Sequence, residues 1–374
     1  MPTSFASLPL VPIMQRAIPY MQIRGGSSKG VYFCAKDLPS DPILRDRLLV
    51  RVMGADDRQI DGLGGADPLT SKVGIVSLSE SEEADVDYLF AQIVVGEGRV
   101  DTTPNCGNIL AGVAPFAIEA GLIEPCNGIT KVRVNMLNSG SQCELMVQTP
   151  DKKVKYEGDA CIDGVPGSSA PITCNYLNIA GAVCGSLLPT GNRIDIVDGI
   201  ELTCIDNGMP VVVIRAKDMG ITGDESPAEL NANQCLKDKI QSIRLQIGPK
   251  MNLGDVDGAA VPKICMISPA LNGGIFNTRT FIPYKCHSAI GVLGAVSAAT
   301  AAIIPGTVAE GIAQLPTVTS STLSVEHPSG EFSVSLEIDE QSDPPRVLKA
   351  GLLRTARLLS RGELYVPETT FSTI

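Results

Sequence analysis

The residues whose types and spacing could do chemistry begin with Asp101-Thr-Thr-Pro-Asn105-Cys106-Gly107-Asn108, followed by a small-residue run from Ile109 to Gly121. Pro104 and Gly107 break the preceding strand, the apolar run is of helix length, and Gly121 is a stop signal. A cysteine at such a helix start sits among free backbone N–H groups and at the positive end of the helix dipole, which both favour thiolate. The same N–H groups can bind a carboxylate. One reading is a reactive thiol beside an anion pocket. The other is a buried packing cysteine, the commoner fate of free cysteine. These residues alone leave the two in balance.

A second candidate is the glycine-rich turn Gly25-Gly26-Ser27-Ser28-Lys29-Gly30. Its hydroxyls and backbone can cradle an anion, or it is simply the turn of a hairpin. It is not a P-loop, because the Gly-Lys-Ser order and a following helix are missing. Asp61, Asp67 and Asp101 read as turn and capping residues rather than catalytic acids.

The chain's eleven cysteines form no Cys-x-x-Cys pair, so neither a zinc site of the usual spacing nor a disulfide framework is expected. With only His287 and His327, a histidine-rich metal centre is not available, and no metal site is expected. Net charge is −11, aromatics are 4% and tryptophan is absent, a composition that argues against nucleic-acid binding. Residues 1–16 lack a basic segment followed by an unbroken apolar core, so no signal peptide is expected. No apolar stretch reaches the roughly 18 residues that would suggest a membrane span. A reducing cytoplasm fits the thiol count.

The elements that must position these residues follow from pattern. Residues 17–24 and 31–35 read as strands flanking the glycine turn. Residues 41–54 form a helix bounded by Asp41-Pro42 and Gly54. Residues 58–72 are polar and glycine-rich, and strands over 73–77 and 86–95 lead to the cysteine segment. Residues 131–138 and 142–148 form a hairpin.

A length of 374 residues suits about two domains, and an internal repeat says how they are built. Val211-Val-Val-Ile-Arg-Ala-Lys-Asp218 echoes Val31-Tyr-Phe-Cys-Ala-Lys-Asp37. Lys263-Ile-Cys-Met-Ile-Ser268 echoes Lys72-Val-Gly-Ile-Val-Ser77, and Cys286 with its small-residue run echoes Cys106. Further echoes join Leu236 to Leu44 and Gly330 to Gly140. All five keep the same order at offsets of roughly 180 to 192 residues. The expectation is two similar α+β halves, 17–185 and 186–374, each a sheet wrapped around one small-residue helix. The last strand is a candidate to return to the first half. Facing halves would set two helix starts, with Cys106 and Cys286, across one cleft, a usual place for a ligand.

These motifs resemble the 2-methylaconitate cis-trans isomerase family, within the diaminopimelate epimerase-like fold. The resembling segments are Arg24-Gly-Gly-Ser-Ser-Lys-Gly30, Gln59 to Lys72, Asn105-Cys-Gly-Asn108 and His287-Ser-Ala-Ile-Gly291. The likeness runs from about residue 18 to 360. Residues 203–210, 248–255, 325–332 and 353–357 resemble the 4-oxalomesaconate tautomerase/isomerase branch.

The resemblance implies a cofactor-free isomerase of unsaturated tricarboxylates or their keto relatives in aromatic acid catabolism. It implies allylic proton transfer with Lys72 and Cys106 as the acid/base pair. Ser27, Ser28, Asn105, Gly107, Asn108 and Lys263 are the expected substrate contacts. The segment at His287 replaces the glycine-rich turn of diaminopimelate-type epimerases. A two-thiol mechanism through Cys286 is therefore disfavoured, and His287 and Ser288 are expected to hold carboxylate. Such a reaction needs a base tuned near working pH and a dienolate-stabilising, water-poor site. The rival substrates are aconitate and 2-methylaconitate, and the rival class is a non-catalytic tricarboxylate-binding protein. The expected partner is the small-molecule substrate, with no nucleic acid and no membrane; a homodimer stays open.

Overall fold

Successive side chains of a strand point to opposite faces, and this alternation decides which residues of the chain can meet. The computed structural model describes residues 14–103, 105–316, 322–339, 342 and 346–371. Pro104 and residues 1–13, on which two of the readings above rest, lie outside them.

The chain divides into two compact units. The first holds the residues up to Pro125, Asn135–Gly140 and those from Ala356 on; the second holds Cys126–Val134 and Ser141–Thr355. The first unit is built on β1 (Gln15–Gly25), β2 (Ser28–Cys34), β3 (Lys72–Leu78), β4 (Val86–Val94) and β5 (Arg99–Asp101). β1 and β2 form a hairpin, β2 and β3 are parallel, and β3, β4 and β5 run antiparallel. The chain's end, from Ala356 to Pro367, pairs antiparallel with β1. The glycine turn is shorter than expected, since Ser28, Lys29 and Gly30 already belong to β2.

One face of this sheet presents Val31, Phe33, Val73, Ile75, Ala91 and Ile93. They pack with Leu48, Leu49, Val52 and Met53 of α1 (Pro42–Met53). Asp41 caps α1 by accepting from the Ile43 and Leu44 N–H groups, and Gly54 ends it, as the sequence predicts. The opposite face packs on the small-residue run.

That run is not one helix. It forms α2 (Gly107–Leu110) and α3 (Val113–Glu119). Two causes are visible. The Tyr32 hydroxyl donates to the Ile109 carbonyl at 2.6 Å, and Pro115 has no N–H with which to continue the ladder. The close approach requires Gly112, because a Cβ there would lie 2.3 Å from the Tyr32 hydroxyl.

The second unit carries β6 (Gly128–Met136, through Val134), β7 (Ser141–Thr149), β8 (Pro171–Leu177), β9 (Asp195–Val197), β10 (Ile200–Asp206) and β11 (Pro210–Arg215). They are joined by β12 (Lys263–Ser268), β13 (Phe276–Phe281), β14 (Thr322–His327), β15 (Gly330–Asp339) and the first part of β16 (Arg346–Pro367). The spatial order is β6-β7-β8-β16-β15-β14-β13-β12-β11-β10-β9. The helices are α4 (Pro227–Ala232), α5 (Gln234–Ile247) and α6 (Val292–Ile303).

The sequence echoes are structural. The β10–β11 hairpin, the parallel β11–β12 pair and the antiparallel β12–β13 pair repeat the arrangement of β1 to β4. Lys263 opposes Val211 as Lys72 opposes Gly30. Val212, Ile214, Ile264 and Met266 seal α5 on one face. The Ala-rich α6 packs on β10, β11, β14 and β15, where its small residues let backbone approach closely. No helix among the described residues is long and apolar enough to cross a membrane.

Candidate active site

In the first unit, a row of paired residues crosses four strands: Gly30, Lys72, Gln92 and Asp101. The row faces α2, because a Cβ on Gly30 would meet the Ile109 side chain at 2.8 Å. Glycine at position 30 thus brings the helix down onto the strand beside Lys72.

The Lys72 side chain is 8% exposed. Its amine donates to Gln92 Oε1 at 2.7 Å and lies 5.1 Å from the centre of the Phe90 ring. Phe90 stands two residues before Gln92 and so shares its face. The cation–π contact and the amide are the partners of this amine; no carboxylate among the described residues lies within ion-pair distance of it.

Cys106 is the residue that caps α2, with extended backbone (φ −132°, ψ 100°), and it is half-buried. The Leu110 N–H bonds back to its carbonyl at 2.9 Å. A helix of four residues carries little dipole, so the local N–H groups, rather than a macrodipole, are the favourable feature for a thiolate. Tyr32 senses this thiol. Burial holds the Tyr32 hydroxyl well above its ordinary range, and the charge of Cys106 adds to the effect.

Asn108 ties the thiol segment to the glycine turn. Its Nδ2 donates to Ser27 Oγ at 3.1 Å and to Ser28 Oγ at 3.2 Å. Both turn glycines are needed here. A Cβ on Gly25 would lie 2.3 Å from the Asn108 carbonyl oxygen, and one on Gly26, where φ is +51°, would lie 2.2 Å from Asn108 Oδ1. Arg24 holds the turn by donating to the Gly26 carbonyl at 2.9 Å. The structure thus brings Ser27, Ser28 and Asn108 together and sets Lys72 on the side of the sheet that receives α2. Asn105 is exposed and Gly107 half-buried beside Cys106.

In the second unit, Lys263 is half-buried, and a Cβ on Gly291, the residue capping α6, would lie 3.4 Å from its amine. Burial pulls the Lys263 amine below its ordinary value. The His287 Nδ1 accepts from the Ala289 N–H at 2.9 Å, which leaves Nε2 as the protonated donor of a neutral ring. Burial lowers the His287 pKa, and the charge of Lys263 lowers it further. His327 repeats the device, its Nδ1 lying 3.3 Å from the Ser329 N–H. Ser288 is exposed.

Cys286 corrects one expectation. It does not stand at the start of α6, which is capped by Gly291. Its thiol packs among the residues that seal α5, on the other side of the sheet, and burial pushes it up to about 11. Asp67 and Asp101 accept from backbone N–H groups two residues on, at 2.7 and 2.9 Å, and Asp61 pairs with Arg51 at the surface. They are turn and surface groups, as their sequence context indicates.

Gln92, Phe90 and Tyr32 were not legible as site residues. The available signal was weak: Gln92 is a lone amide in an otherwise apolar stretch of β4. No group of three metal-ligating side chains occurs among the described residues.

A family model described as PrpF protein matches residues 15–367. The chain is 53% identical to a 4-oxalomesaconate tautomerase of Pseudomonas putida KT2440, over 96% of this chain and 98% of that one. It is also 53% identical to a (4E)-oxalomesaconate Delta-isomerase of Novosphingobium sp. KA1, over 93% and 97% of the two chains. The crystal structure of a methylitaconate-delta-isomerase superposes with a TM-score of 0.89 at 34% identity, covering 96% of this chain and 98% of that one. The architecture is of the diaminopimelate epimerase-like class.

Proposed function

This chain is an isomerase of the PrpF protein family, and from that membership we propose that it isomerises 4-oxalomesaconate by 1,3-allylic proton transfer, with Lys72 and Cys106 as the acid/base pair. The observation that carries the assignment is the placement of a nearly buried lysine and a half-buried thiol on the same side of one sheet. The hydroxyls of Ser27 and Ser28 and the amide of Asn108 adjoin them.

An allylic shift removes a proton from one carbon and returns one two atoms away while the double bond moves between them. Electrons and protons balance within the substrate, so two proton-transfer groups suffice and the reaction is read as cofactor-free. The intermediate is a dienolate, which donors held in place before reaction stabilise best. Ser27, Ser28, Asn105, Gly107 and Asn108 supply such donors from side chain and backbone. Lys72 is only 8% exposed, which keeps bulk water away from the proton transfer. Lys263, His287 and Ser288 are proposed as carboxylate-binding groups. The Lys263 amine, the α6 start and the protonated Nε2 of His287 present donors only, a combination that calls for an anion. The proposed setting is the cytoplasm, in aromatic acid breakdown.

The test is to replace Lys72 by Met and Cys106 by Ser singly and follow loss of 4-oxalomesaconate absorbance. Both variants are expected to lose most activity while keeping wild-type circular dichroism. Full activity in both would overturn the mechanism. Parallel assays on aconitate and 2-methylaconitate decide the substrate. Binding without solvent deuterium entering the ligand would mark a binding protein.

A further inference from the structure

Lys72 is the group on which the proposed chemistry turns, yet nothing in its own backbone fixes where its amine points. A lysine side chain has four rotatable bonds and pays rotamer entropy wherever it is held. The holding group is on the neighbouring strand. Lys72 and Gln92 are direct partners in the β3–β4 ladder, and the amine donates to Gln92 Oε1 at 2.7 Å.

Gln92 is itself clamped. Its Nε2 lies 2.9 Å from the Ser71 carbonyl, 3.1 Å from that of Pro68 and 3.3 Å from that of Ile93. Three carbonyl oxygens around one end of an amide admit only the NH₂ there, so the carbonyl end must face Lys72. A flipped amide would set an oxygen against three oxygens and an NH₂ against an amine. The clamp also reaches the polar loop before β3. The Ser71 hydroxyl donates to Gln59 Oε1 at 2.6 Å, and that same oxygen accepts from the Ala66 N–H at 2.8 Å. Loop, amide and lysine form one hydrogen-bonded chain.

We propose that Gln92 is the positioning residue of the proton-transfer lysine: a neutral acceptor, locked in one orientation, that aims the Lys72 amine without supplying a counter-charge. The inference rests on the reading of Lys72 given above. A carboxylate at position 92 would hold the amine equally well but would favour its charged form. An amide takes a hydrogen bond from ammonium and from amine alike, so it keeps the geometry through both halves of a proton transfer. The other titratable groups on this side of the sheet are Tyr32 and Cys34 from β2, Tyr88 from β4, Cys106 at α2 and Asp101, which ends the row on β5 with its Oδ1 occupied by Thr103.

The experiment compares Gln92→Glu and Gln92→Leu with wild type and with Lys72→Met, measuring kcat, KM and the pH profile of kcat/KM on 4-oxalomesaconate. Gln92→Leu is expected to lower kcat by on the order of 10²-fold with little change in KM, the cost of a misaimed group. Gln92→Glu is expected to retain more activity and to move the lysine-dependent limb of the profile up by about one pH unit or more. A merely structural amide would change the rate or the unfolding midpoint and leave the limb in place. An unmoved limb in Gln92→Glu, with Lys72→Met inactive, overturns the Gln92 inference alone. Activity in Lys72→Met overturns the functional reading itself. Gln92→Glu is close to isosteric, so its profile decides the matter even if Gln92→Leu fails to fold.

Discussion

The Tyr32 hydroxyl donates to the Ile109 carbonyl at 2.6 Å, from the middle of β2 into the turn that follows Cys106. Tyr32 is fully buried, and its ring stacks on Phe116 with centroids 5.7 Å apart. The contact breaks the small-residue run into two short helices and holds the turn that Cys106 opens. Tyr32→Phe keeps the ring and removes one buried hydrogen bond. The expected loss is about 1 kcal/mol of stability, read from the urea midpoint, with a fall in kcat as the Cys106 turn loosens.

Gly26→Ala tests the hold of the glycine turn on Asn108. The position has φ +51°, and a Cβ there would lie 2.2 Å from Asn108 Oδ1. Two costs combine: a left-handed conformation for an L-residue, about 1–2 kcal/mol, and displacement of the amide from Ser27 and Ser28. KM is expected to rise and thermal stability to fall. Gly98→Ala is the control, with φ +58° and open space around its Cβ; it should lose stability and leave KM unchanged.

Arg244 is fully buried and donates to the carbonyls of Val256, Ala259 and Val261 at 2.8 to 3.1 Å. It ties α5 to the loop before β12. Arg244→Met strands these carbonyls and should cost about 3 kcal/mol, measured by equilibrium urea unfolding.

Burial holds His287 and His327 below their ordinary value of 6.5. In the unfolded chain each binds a proton at about pH 6.5; in the folded protein each resists it until the pH is lower. The unfolded state therefore carries more protons in that window, and stability rises with pH across it. Their contribution is complete above about 6.5 and is lost as the pH falls toward the folded values. Urea midpoints at pH 5 and 7.5 should differ less in the double variant His287→Gln/His327→Gln than in wild type.

Thiol labelling separates Cys106 from its echo. Cys126, Cys161 and Cys235 are exposed and Cys106 half-buried, whereas burial pushes Cys286 to about 11 and Cys174, Cys184 and Cys265 to about 12. Iodoacetamide at pH 8 followed by peptide mass spectrometry should modify the exposed thiols and Cys106 in native protein and spare Cys286. Protection by substrate is expected at Cys106 alone.

The chain by itself determined a good deal. Local signals placed α1, because an Asp-Pro start and a Gly stop act within one turn of backbone. The apolar run over 86–95 placed β4, and the echo of residues 31–77 in 211–268 announced two like sheets. Asn105-Cys-Gly-Asn108 was legible as a thiol at a helix start, whereas Lys72 and the glycine turn were legible only through their family likeness.

Only the tertiary structure decided what these residues touch. Helix length over 109–120 looked settled from composition, yet a hydroxyl 77 residues away in sequence interrupts it. Cys286 matched Cys106 in the repeat, but it lies in the segment between β13 and α6, where its thiol packs into the core around α5. Gln92 had only a weak signature, a lone amide in an apolar stretch of β4. Its role comes from sheet register, which sets an amide against a lysine across strands 20 residues apart in sequence, and from three carbonyls that only the folded loop assembles. Spacing along a chain can propose which groups react. Pairing between strands, a long-range property, aims them.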